Sequence, residues 1–72
     1  MDRNNREVEA LISTSVSDAE ITLKSMLARE PKQAKTIAEL ILDKLAESQG
    51  QKTRINLAQR IIRQAEKALK QQ

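Results

Sequence analysis

Seventy-two residues with neither cysteine nor histidine exclude disulfides, the common zinc arrangements, thiolate nucleophiles and histidine-based triads. Without Phe, Tyr or Trp, the core must be assembled from Ala, Leu, Ile, Val and Met, and the aromatic platform used by most single-strand nucleic-acid binders is missing. The formal charge of +3 is divided unevenly: residues 1–50 carry seven Lys or Arg against nine Asp or Glu, net −2, while residues 51–72 carry six against one, net +5.

A chain of this length buries only about 60% of the surface that its unfolded form exposes, so one domain spanning residues 1–72 is expected to gain from oligomerisation. The residues are those of strong helix formers, with one Gly and one Pro, and no alternating apolar run bounded by turn residues reads as a strand. The expected fold is therefore all-α, a small antiparallel bundle of three or four helices completed by dimerisation. No apolar run approaches the roughly 20 residues of a membrane span, and the polar, charged N-terminus is unlike a signal peptide. A cytoplasmic location is expected.

Residues 1–4 are expected to fray. From Val8 onward, Leu11, Ile12, Val16, Ala19, Leu23, Met26 and Leu27 keep helical spacing on one band, which by phase alone is a single helix. Local chemistry divides it. Ser13-Thr14-Ser15-Val16-Ser17 favours a cap or turn, and Ser17 with Glu20 fits a capping box, so helices over about 5–13 and 18–29 are the preferred reading. Pro31 stops the second helix and suits the first position of the next, over about 32–49, whose face carries Ala34, Ile37, Ala38, Ile41 and Leu45 with Leu42 at its edge. Gly50 is expected to supply a left-handed residue after it.

Thr53 is the expected cap of a last helix over about 53–70, before residues 71–72 fray. Its apolar positions are Ile55, Ala58, Ile61, Ile62, Ala65 and Leu69, and Asn56, Arg60, Arg63, Lys67 and Lys70 fall on the opposite side. Linkers of two to four residues favour antiparallel neighbours.

No catalytic, cofactor-binding or metal-ligating site is expected. One glycine leaves no phosphate-cradling loop, and paired carboxylates such as Asp43 and Glu47 read as a solvated surface. The core offers little room for a small-molecule substrate. Binding is the remaining class. The leading expectation is a non-enzymatic protein–protein interaction or regulatory module that forms a homodimer. Ile21 and Leu40 lie off their stripes and are candidate interface residues. Glu39, Asp43 and Glu47, spaced i, i+4, i+8, form an acidic column that could meet the basic stripe of a second copy.

The second expectation is duplex nucleic-acid binding, with Arg54, Arg60, Arg63, Lys67 and Lys70 on phosphates and Asn56 and Gln59 available for base edges. Aligning Gly50 with the glycine of a helix-turn-helix places Ala46 well, but it puts Asn56 and Gln59 where apolar packing residues belong. A membrane-surface role is disfavoured, because the apolar face of the last helix is rich in Ala and lacks Trp or Phe.

Overall fold

The computed structural model describes residues 3–47 and 50–70. They form four helices: α1 (Arg3–Ser13), α2 (Val16–Arg29), α3 (Pro31–Leu45) and α4 (Lys52–Lys70). No strand occurs among the described residues, and the chain is an all-α bundle. Arg3 and Asn4, expected to fray, belong to α1, while residues 1–2 and 71–72 lie outside the described residues. No helix of the described residues is long and apolar enough to cross a membrane.

The break after α1 falls at Thr14 and Ser15. Thr14 N–H closes the last turn of α1 on the Ala10 carbonyl at 3.0 Å. Ser15 then turns to extended backbone, and its Oγ accepts from Asp18 N–H at 3.2 Å, so the cap is Ser15 and not Ser17. The earlier start has one physical gain: it brings Val16 into the helix, where it packs against the core. It also keeps Asp18 in the first turn, at the positive end of the helix dipole. Ser17 is an exposed interior residue, and the Glu20 carboxylate turns to Lys24 at 3.1 Å instead of back to a cap.

A single residue joins α2 to α3. Glu30 is extended (φ −141°, ψ 82°), as the residue before a proline prefers to be, and its N–H closes α2 on Met26 O at 2.6 Å. Pro31 opens α3, where its missing N–H costs nothing. The other end of α3 comes sooner than its sequence suggests: the helix stops at Leu45, Ala46 and Glu47 form a turn, and residues 48–49 lie outside the described residues. Gly50 has φ +85°, and a Cβ there would touch nothing within 4 Å. Backbone conformation, and not crowding, is what selects glycine at this position. Helix α4 begins at Lys52, one turn of bonding being set by Ile55 N–H on Gln51 O at 2.9 Å, so Gln51 and not Thr53 holds the cap position.

One core cluster draws on all four helices. Helix α3 is its axis, packing on α1, α2 and α4, with the α3–α4 interface the most extensive. Among the described residues, α1 and α4 do not pack directly on each other. Of the fourteen buried apolar residues, five are alanines (Ala19, Ala34, Ala38, Ala58, Ala65), each at most 1% exposed, which lets neighbouring helix backbones approach closely enough for Leu23, Ile37, Ile41 and Ile61 to fill the space between them. The radius of gyration, 11.4 Å, matches the roughly 11 Å expected of a compact chain of this length.

The placement of the cap is testable. Ser15→Ala should lower stability to urea by about 1 kcal/mol, and Ser17→Ala should change it by less than about 0.5 kcal/mol. The reverse order would restore the later helix start.

Candidate binding surfaces on the helix exteriors

The core-facing arc of α4 fixes what its other side can do. Leu57, Ala58, Ile61 and Ala65 are buried, and Ile55, Ile62 and Leu69 are half-buried at the edge of that arc. Leu57, absent from the sequence stripe, is buried because α4 packs on α2 as well as on α3. Arg60 reaches Glu20 of α2 at 3.9 Å on one flank, and Glu66 reaches Lys35 of α3 at 3.4 Å on the other. Between these flanks the outward pole of α4 carries Asn56, Gln59, Arg60, Arg63, Lys67 and Lys70, all exposed. Asn56, Gln59, Arg60 and Arg63 line a shallow concavity of about 340 Å³.

Arg54 does not belong to that pole. About 100° per residue places it over Ala58 and Ile61 rather than over Arg63, and it is half-buried. Its Nη1 donates to the Leu11 carbonyl, and its Nε donates to Gln51 Oε1 at 3.4 Å. Leu11 is in the last turn of α1, where carbonyls lack intrahelical partners and a cation is favourable, and α1 has no basic residue of its own there. Arg54 is thus a C-terminal cap for α1 supplied by α4, and it bridges the two helices that do not otherwise pack together. Residue type, and not periodicity, groups it with the other cations: it is no part of the stripe through Asn56, Arg60, Arg63, Lys67 and Lys70.

The candidate interface residues part company in the same way. Ile21 is 67% exposed, on the outward face of α2. Leu40 is off the main stripe of α3 yet half-buried against the core, because α3 is flanked by three helices and its buried arc is wider than one stripe. Glu39 and Asp43 point to solvent from α3, on the side away from its packed face, whereas Glu47 lies in the turn beyond the helix end and is no longer in register with them. Among the described residues, no three carboxylates converge where a metal ion could be held.

An ion pair also ties α1 down. Lys44 Nζ lies 2.7 Å from Glu9 Oε1, and this hydrogen bond, reinforced by the lysine charge, lowers the Glu9 carboxyl below its ordinary range. A carboxyl lowered on folding adds stability above its ordinary range, and that stability disappears as the pH falls through the lowered value. Because Glu9 is exposed, the contribution is small and sensitive to salt.

Sequence reasoning missed one feature altogether. Between α1 and α2 runs a groove of about 260 Å³ lined by Glu7, Ala10, Leu11, Thr14 and Thr22, mostly through their apolar atoms. Glu7 Oε2 is buried with no hydrogen-bond partner. Glu7, spaced four before Leu11, gave no signal, because an acidic residue beside an apolar stripe ordinarily reads as the start of a solvated face.

No family model, curated protein or solved structure matches this chain. The surfaces themselves carry the functional argument. They present a row of cations on α4, the Glu39–Asp43 pair among the lysines of α3 and an exposed aliphatic side chain on α2.

Removing the guanidinium while keeping the apolar stem, as in Arg54→Met, should cost about 1–3 kcal/mol and should speed amide exchange in α1 well before it does so in the centre of α4. Unchanged protection of α1 would contradict the capping role.

Proposed function

We propose that this chain is a non-enzymatic helical interaction module that self-associates through the exposed side of α2 and offers the basic pole of α4 to an acidic protein surface. The observation that carries the reading is the contrast in charge pairing. Lys24, Lys35 and Lys44 each meet a carboxylate of the same chain. Arg63, Lys67 and Lys70 meet none among the described residues, and unlike Arg29, Lys32 and Lys52, which are also unpaired there, they follow one another four and three apart along one helix, where like charges repel. An acidic partner relieves that repulsion, and a row of cations accelerates the encounter at low salt. The Glu39–Asp43 pair of a second copy is one such surface that the chain itself supplies.

A second reading, duplex nucleic acid, is favoured by one particular arrangement. Asn56 and Gln59 share the concavity with Arg60 and Arg63, so amides suited to base edges stand beside guanidinium groups suited to phosphates. Such binding would not use a helix-turn-helix, whose turn spans three or four residues, since six residues (46–51) separate α3 from α4 and Asn56 and Gln59 are exposed.

The two readings separate by titration with an acidic polypeptide, poly-L-glutamate, and with a mixed-sequence DNA duplex. The interaction module should bind the polypeptide at low salt at least as well as the duplex, and Arg60→Glu with Arg63→Glu and Lys67→Glu should abolish that binding. Tighter binding to the duplex at physiological salt, with a salt slope of about 0.9 for each phosphate neutralised, would favour nucleic acid. Binding to neither would remove the basic pole as a functional surface.

A further inference from the structure

We infer that a second copy of this chain docks on the groove between α1 and α2, each copy placing its Ile21 in the other's groove and its Lys24 beside the other's Glu7. The inference rests on the self-association proposed above and specifies the surface that carries it. Ile21 is the exposed large hydrophobic residue among those described, and its neighbour Thr22 lines the groove. A protruding aliphatic side chain and an apolar hollow therefore lie side by side on one helix. That arrangement is self-complementary: a two-fold axis along the outer side of α2 fills both hollows with a single operation, and the contact closes at two copies.

The chemistry of the hollow fits this occupant. Ala10, Leu11 and the methyl groups of Thr14 and Thr22 offer an apolar wall to an isoleucine, whose burial removes apolar surface from water on both copies. Glu7 lines the hollow half-buried, its Oε2 pairs with no donor among the described residues, and a turn of its carboxylate towards the hollow would present it to a cation from a second copy. Lys24 is one helical turn from Ile21 on the same helix, and its present partner, Glu20, holds it in an ion pair in which the lysine side chain is 55% exposed. An exposed pair of this kind exchanges partners at little cost, whereas a charge-assisted bond to a half-buried carboxylate is the stronger of the two. Ser17, Ser25 and Ala28, in line with Ile21 along the outer side of α2, are small and exposed, and they leave room for the second α2 to approach.

Sedimentation equilibrium on the full chain, with Ile21→Ser and Lys24→Glu compared with wild type, tests the contact, because both positions are exposed and circular dichroism can verify that each variant keeps its helix content. Wild type should dimerise, and each substitution should raise the dimer Kd at least tenfold. A dimer that is indifferent to Ile21→Ser overturns this surface but leaves self-association standing; a monomer at every concentration overturns both. Cysteine pairing locates the contact independently, since the chain has no cysteine of its own. On mixing, Ala10→Cys and Ile21→Cys chains should form the mixed disulfide in clear excess over either homodimer, and a statistical mixture would contradict the docking.

Discussion

The rest of the structure depends on how four helices enclose a core that has no aromatic side chain. Alanines meet this constraint by adding little bulk to the core: Ala34 and Ala38 on α3, Ala58 and Ala65 on α4 and Ala19 on α2 are all at most 1% exposed. Small residues let helix axes come together, and the intervening Leu and Ile side chains then fill the space at interior density. Helix α3 becomes the axis because its buried arc is wide enough to meet all three others. A large aromatic would supply the same buried area from one position, but it would hold the helices apart.

That economy leaves α1 as the outlying element. It contributes Val8 and Leu11 to the core and packs on α2 and α3 without reaching α4 directly. Two charged contacts compensate: Arg54 caps its last turn, and Lys44 pairs with Glu9 on its flank. The same geometry opens the groove beside α2, since a helix held along one side leaves its other edge uncovered. Core and working surface are therefore linked. The loose packing of α1 on α2 creates the hollow, and the outward faces of α2, α3 and α4 differ in character.

Much of the fold was legible from residue spacing and punctuation. Pro31 marks the start of α3 and Gly50 adopts a left-handed conformation, because each acts through its own backbone and needs no neighbour. The band from Val8 to Leu27 is core or core edge throughout, although it belongs to two helices whose phases agree across a two-residue break. The errors arise where a tertiary contact decides. Ser15 competes successfully with Ser17 because Val16 finds the core, Leu40 packs against the core from beside its stripe, and Leu57 is buried in a helix that packs on both α2 and α3. For the candidate sites, the periodicity that placed Arg60, Arg63, Lys67 and Lys70 outward also sets Arg54 on the inner side, but it could not name its partner, a carbonyl 43 residues away in sequence. A groove between two helices has no pattern along either one, and Glu7 becomes informative only when its neighbours in space are known.

The central claim is a division of labour: α3 and the inner face of α4 hold the fold, and the exterior of α1 and α2 is the surface proposed to join copies together. Hydrogen exchange on the full chain, measured at low and at high protein concentration, tests that division in one experiment. The slowest amides should lie in α3 and the centre of α4 at both concentrations, and the protection gained on concentrating the protein should be confined to residues 7–28. Protection that is independent of concentration, or gained chiefly along α3 and α4, would contradict the account.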